Sequence, residues 1–222
     1  MYCSRKLRTV YIHCKKTAGT SITQYLQAQS RNIGTVRRRH ITAWKMVDWI
    51  RRFPQHADFP TWFWWATIRH PMARWHSQVR HTRELEATKH SMGLPDLSER
   101  TIWEHWKVTP DRAEDDQTGG TLISQSAQLQ GLWPWCSSTP GEPRGRVWIP
   151  IHLVAVESAH MAPLISQQFG TPFTQHHNRT SDRDFVPDPE VYREVEQHDY
   201  YQQDIELWHR VCVTKDWYVL ED

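Results

Sequence analysis

The run Thr61 to Ile68, "TWFWWATI", is an unbroken aromatic and β-branched segment near the middle of the first half of the chain. Such a run without polar alternation is the composition of a strand buried on both faces, as in a parallel sheet. It leads into "RHP", where Pro71 suits the first turn of a helix. A parallel strand needs helices to cover it, so strands and helices should alternate in the neighbouring segments.

They show it. Thr9 to His13 is a short apolar strand, and Gly19 to Gln29 carries Ile22, Tyr25 and Leu26 at helical spacing. Asn32 to Arg39 is a candidate for a second strand. Thr42 is a fitting N-cap for a helix with Trp44, Val47 and Ile50 on one face, stopped before Pro54. A short helix is expected over Ser98 to Lys107, within a loosely patterned stretch from His90 to Gly120. "HLVAVE", His152 to Glu157, reads as the last strand, followed by a helix from Ser158 to Phe169 ended by Gly170. Asp188 to Cys212 reads as one long amphipathic helix. The alternation predicts an α/β fold: a three-layer, P-loop-like arrangement with a central parallel sheet flanked by helices, in a single domain over 1–222. Ligands of such sheets bind at the carboxyl ends of the strands.

Composition narrows the classes. Hydrophobic residues at 38% and charged residues at 23% are ordinary globular values, which argues against disorder. A formal charge of +2 is too small for a broad phosphate footprint, so a nucleic-acid binder is not expected. Basic residues are nonetheless bunched at Arg37, Arg38 and Arg39, with Arg51 and Arg52 nearby. The 13 tryptophans supply packing and flat surfaces for stacking a sugar or a base. Four cysteines without a CxxC pair oppose a disulfide framework or zinc ribbon. No apolar run reaches the ~20 residues of a membrane span, and no signal-peptide core is seen. A cytoplasmic location is expected, although a trimmed lumenal domain would look the same. Nothing in the sequence sets an oligomeric state.

Chemistry concentrates where the first strand ends, in "YIHCKKTAGTSITQYL", Tyr11 to Leu26. A lysine, hydroxyls and the free N–H groups of a helix start together suit a phosphate. The nucleotide-kinase loop places glycines before its lysine, GxxxxGK[ST]; here Lys16 and Thr17 come first and Gly19 follows. No convincing acidic strand end follows to hold magnesium. Cys14, the last residue of a buried strand, reads as core.

"HCKKTAGTS" resembles the 5′-phosphosulfate loop of sulfotransferases, especially the carbohydrate branch, whose usual form is H-x-P-K-T-[AG]-G-T-[ST]. "TIRHPMARWHS" is similar to the 3′-phosphate motif of that family, with Arg69 and, eight residues on, Ser77 in the expected places. "VAVESAHMAPLISQQFGTPFTQHHNRTS" resembles the family's strand, acidic residue, helix and H-x-N-R-[ST] segment. "YYQQDIELW" resembles its closing Y-x-x-D-x-E-L-[FY] helix. The resemblance runs from about Thr9 to Leu207, in order.

It implies transfer of a sulfonyl group from 3′-phosphoadenosine 5′-phosphosulfate (PAPS) to a hydroxyl acceptor, first of all a carbohydrate, without a metal. Lys16 and the backbone of Ala18, Gly19, Thr20 and Ser21, with Lys15 and Thr17, would hold the 5′-phosphosulfate. Arg69 and Ser77 would hold the 3′-phosphate, and Arg179 is a further candidate donor contact. Lys15 stands where the family carries proline. His40, in "RRRHITAWKM", takes the place of the family's general base, while His13 matches the loop histidine and reads as structural. Gln125 is a candidate donor or acceptor contact. Glu157 ends a strand as in the family's R-F-E segment, but Ala155 replaces the arginine. The acceptor pocket is expected in the loops Ser91 to Gly120 and Ser137 to Gly145. Two other readings stand beside this one: an ATP-dependent phosphotransferase, and a nucleotide- or glycan-binding module without catalysis.

Overall fold

The computed structural model describes residues 2–30, 43–87, 94–106, 125, 129, 149–174 and 186–220. In chain order these form β1 (Tyr2–Ser4), β2 (Thr9–Ile12), α1 (Gly19–Gln29), α2 (Ala43–Ile50), β3 (Phe63–Ile68), α3 (Pro71–Ala87), α4 (Glu99–Trp106), β4 (Ile151–Ala155), α5 (Met161–Phe169), α6 (Pro189–Gln197), α7 (Asp199–Cys212) and β5 (Tyr218–Leu220). Single 3₁₀ turns lie at Pro54–His56 and Phe59–Thr61.

The strands make one five-stranded sheet in the order β1-β2-β3-β4-β5. β2, β3 and β4 run parallel, with Tyr11 opposite Trp65 and Trp65 opposite His152. β1 pairs antiparallel with β2, and β5 antiparallel with β4. The α/β class therefore holds, but the sheet is mixed, its parallel centre carrying an antiparallel strand on each side. Both edge strands were missed in the sequence because three residues are too few to show a period.

Alternation along the strands sorts the core into two sets. Val10, Ile12, Trp64, Ala66, Ile68, Ile151, Leu153 and Ala155 pack with Met46 and Ile50 of α2 and with Leu207 and Val211 of α7. Tyr11, Trp65 and Val154 point the other way and pack with Ile22 and Leu26 of α1 and with Met161 and Ile165 of α5. Trp64 and Trp65 are both fully buried, and each indole N–H is satisfied, by Phe59 O at 2.9 Å and Thr9 Oγ1 at 3.0 Å. Truncating either to alanine would cost about 3–5 kcal/mol. A third apolar cluster joins Trp75 and Val79 of α3, Ile102 and Trp103 of α4, Val191 and Val195 of α6 and Tyr201 of α7.

Boundaries differ from the expectations in ways that have local causes. The tryptophan run enters its strand at Phe63, because Trp62 N–H closes the preceding 3₁₀ turn on Phe59 O at 3.1 Å. The expected helix Asp188 to Cys212 is two helices. Asp188 caps α6, its Oδ1 accepting from Glu190 N–H at 2.9 Å and Val191 N–H at 3.3 Å. His198 is extended (φ −72°, ψ 125°) and starts α7, its carbonyl accepting from Tyr201 and Gln202. No glycine or proline marks that break. The helix expected from Ser158 begins at Met161 and ends at Gly170, which takes the left-handed conformation (φ 68°). Pro71 opens α3 as expected. The proposed second strand, Asn32 to Arg39, lies outside the described residues.

Candidate functional site

Because β2, β3 and β4 are parallel, their carboxyl ends meet along one edge of the sheet. The segment after β2 is a tight turn in which Lys16 (φ 63°) and Ala18 (φ 62°) both adopt the left-handed conformation. Side chains rarely take that region, and the turn is held there by buried hydroxyls. Thr17 Oγ1 donates to Cys14 O at 2.8 Å, and Thr67 Oγ1, from β3, donates to Thr17 O at 2.6 Å. Tyr11 OH lies 2.8 Å from Thr67 Oγ1 and completes the line. A turn in which left-handed residues alternate with others can direct successive backbone N–H groups into a concavity, the geometry that receives anions.

α1 begins directly after the turn. Ala18 supplies no side-chain cap, and the first helical turn has no acidic residue, so the positive end of the helix is not neutralised there. Gly19 is required by close approach. A Cβ at Gly19 would lie 1.8 Å from Cδ2 and Nε2 of His13, whose imidazole covers it. His13 is buried, 8% exposed, which fits the structural role expected of it. Cys14 is buried in the core, and its thiol is pushed up to about 12 by burial, so it is not a thiolate nucleophile.

Arg69 leaves the end of β3 and reaches back to this turn: Nη1 donates to Lys16 O at 3.4 Å. Arg74, buried on the first turn of α3, donates from Nε to Lys15 O at 2.9 Å. The end of β4 contributes Glu157, which faces Arg69 Nε at 3.5 Å and accepts from His70 N–H at 3.3 Å and Trp208 Nε1 at 3.1 Å. The two basic turns named from the sequence are thus adjacent and bonded to each other. Lys15, Lys16, Thr17, Ala18, Gly19 and Arg69 come together, with Thr20 and Ser21 on the first turn of α1. Ser77 is half-buried on the second turn of α3. His40 and Arg179, together with Arg37, Arg38 and Arg39, lie outside the described residues.

Positive charge is concentrated here. Burial pulls the Lys16 ammonium down to about 8; Glu84 acts to raise it, and Arg69 and Arg80 lower it further. Arg69 is also lowered, chiefly by burial, with Glu157 opposing and Arg80 adding to the shift. His81 falls to about 4 through burial and the nearby charges of Lys16 and Lys15, so its ring is neutral at pH 7. Arg80 Nε is buried without a hydrogen-bond partner among the described residues. Lys16 and Arg69 are both desolvated, with Glu84 opposing the shift of the first and Glu157 that of the second, so an anion placed beside them would favour their charged forms.

Sequence reasoning missed the second half of α3. Arg80, His81 and Glu84 stand three, four and seven residues after Ser77, and that helical spacing from a motif serine was the signal available. Gln125 turns out to bind protein rather than to stand open: its amide clasps the Arg69 backbone, accepting from N–H and donating to C=O, each at 2.7 Å. Among the described residues no group of three or more His, Cys, Asp or Glu is placed to hold a metal ion, and no helix is long and apolar enough to cross a membrane. Comparison with known proteins finds no matching family model, no similar curated protein and no similar solved structure.

Proposed function

We propose that this chain is a sulfotransferase that moves the sulfonyl group of PAPS to a hydroxyl, and that the acceptor is a carbohydrate. The observation that carries the reading is the bond between the two basic turns, Arg69 Nη1 to Lys16 O, which makes two anion-binding elements into one site. A donor with a phosphosulfate at one end and a 3′-phosphate at the other requires such a pair. On this reading the sheet, with α1 and α5 on one face and α2 and α7 on the other, is a three-layer P-loop-like scaffold that brings both turns to one edge.

The chemistry follows from the residues. The acceptor oxygen attacks sulfur in line as the bond from sulfur to the bridging phosphate oxygen breaks. The electron pair of that bond goes to the phosphate, leaving adenosine 3′,5′-bisphosphate, and the hydroxyl proton goes to His40 as general base. Lys16, partly desolvated, offsets the charge growing on the departing phosphate, and the α1 N–H groups add to this. Arg69 and Ser77 bind the 3′-phosphate, a guanidinium fork and a hydroxyl meeting a triangular set of oxygens.

Calorimetry in EDTA tests the donor. Adenosine 3′,5′-bisphosphate should bind without divalent metal, and ADP, lacking the 3′-phosphate, should bind less tightly by about 2–3 kcal/mol for losing a charged, multiply bonded group. Equal affinities would remove Arg69 and Ser77 from the site. Tight ATP binding that depends on magnesium would favour the phosphotransferase. Bisphosphate binding without label transfer from PAPS to any of a panel of glycans would leave a binding module.

A further inference from the structure

Two turns that grip opposite ends of one ligand must be kept at a fixed separation, and one buried carboxylate reaches both. Asp204 of α7 and Arg74 of α3 are fully buried, with Arg74 Nη1 3.3 Å from Asp204 Oδ2. The same guanidinium donates from Nε to Lys15 O at 2.9 Å, which ties α7 to the first turn. Asp204 Oδ2 also accepts the backbone N–H of Gln125 at 2.7 Å. Gln125 in turn clasps Arg69 through both backbone groups, which ties α7 to the second turn. Trp208, one helical turn along, adds a parallel link through Glu157.

Docking of α7 does not call for this arrangement. Leu207, Val211 and Tyr201 already bury it in apolar clusters. A buried ion pair loses much of its attraction to desolvation, and apolar replacements of similar volume are often at least as stable. The carboxylate is therefore better explained by what it orients than by what it stabilises.

We infer that Asp204 is a positioning residue of the candidate site: through Arg74 and Gln125 it holds the Lys15–Lys16 turn and the Arg69 backbone at one separation, and so sets recognition of a ligand with two anionic ends. The inference rests on the reading of the two turns as one donor site.

The test compares Asp204→Asn with the wild-type protein. Adenosine 3′,5′-bisphosphate engages both turns and adenosine 5′-monophosphate only the first, so the ratio of their affinities reports the separation. Asp204→Asn should lower that ratio by about tenfold, the scale of coupling between contacting groups. Amide hydrogen exchange at residues 15–18 and at Arg69 should quicken together. The double variant Arg74→Met/Asp204→Leu should recover thermal stability without recovering the ratio, and it carries the test if the single variant does not fold. A ratio within about twofold of wild type in a folded variant, or its recovery in the double variant, overturns the inference. If the wild-type protein binds neither nucleotide, the donor reading fails, and exchange alone decides: unchanged rates at both turns then overturn the positioning role.

Discussion

Arg69 Nη1 and the carbonyl of Lys16 are joined by a 3.4 Å hydrogen bond, and the Lys16 ammonium lies in the field of the same guanidinium. The lysine is thus both buried and repelled, and it releases its proton at about 8 rather than near 10.5. A bound anion reverses both effects, because it favours the charged form.

A pH dependence with a definite sign results. Below pH 8 Lys16 is charged in folded and unfolded chains alike, and its burial opposes folding; between about 8 and 10.4 only the unfolded chain keeps the proton, so this group's contribution shifts toward the fold as pH rises. Ligand binding runs the other way. Bisphosphate affinity should be level from about pH 7, where the phosphates are fully ionised, to pH 8, and then fall by up to about tenfold per pH unit as binding must take up a proton. Calorimetry across buffers of different ionisation heat measures that uptake. Lys16→Arg should flatten the profile to pH 10.

Gly19→Ala should disrupt the turn. Its Cβ would lie 1.8 Å from the His13 ring, and displacing a buried imidazole is an overpacking cost of about 1–3 kcal/mol. Thermal denaturation should show the loss, and adding His13→Ala should recover part of it. A Gly19→Ala protein as stable as wild type would mean that the ring does not sit over the glycine.

Glu157 competes for Arg69 across 3.5 Å, both side chains being partly exposed. Glu157→Gln retains an acceptor for His70 N–H and removes the competing charge. Bisphosphate affinity should rise by about 0.2–1 kcal/mol, the usual worth of a partly exposed pair. Calorimetry at low and high salt checks it, since the gain should shrink as salt screens the pair.

His40→Ala should lower sulfonyl transfer by about 10²–10⁴-fold and leave bisphosphate affinity unchanged, as removal of a general base does. The acid limb of the pH–rate profile should flatten. Turnover above about a tenth of wild type would move the base elsewhere. His81 would be tested next, since it lies beside Lys15 and Lys16.

The parts of this architecture that were legible in the sequence are those with strong local signals. Trp64, Trp65 and Ile68 announce a doubly buried strand, Pro71 a helix start and Gly170 a helix end. The turn from Lys15 to Ser21 was legible because basic, hydroxyl and glycine residues crowd between a strand and a helix. Asp204 and Gln125 were not legible in the roles they hold. Their partners, Arg74 and Arg69, are distant along the chain, and only the folded arrangement brings them together. The break at His198 escaped because apolar residues keep helical spacing on both sides, and the chain simply turns extended there. Arg80 and Glu84 carry ordinary surface residue types, and only their nearness to Lys16 in the folded chain distinguishes them.

The line of hydroxyls from Tyr11 through Thr67 to Thr17 has a kinetic meaning. Thr67 has a single proton, which it gives to Thr17 O, so Tyr11 must donate to Thr67 and the direction of the whole line is set. The turn is consequently rigid before anything arrives. Its ordering entropy was lost when the sheet formed, and little is left to lose on association. Capture of a small anion should then be limited by encounter, with rates that fall steeply as salt rises, and without the slow phase that a closing loop would add.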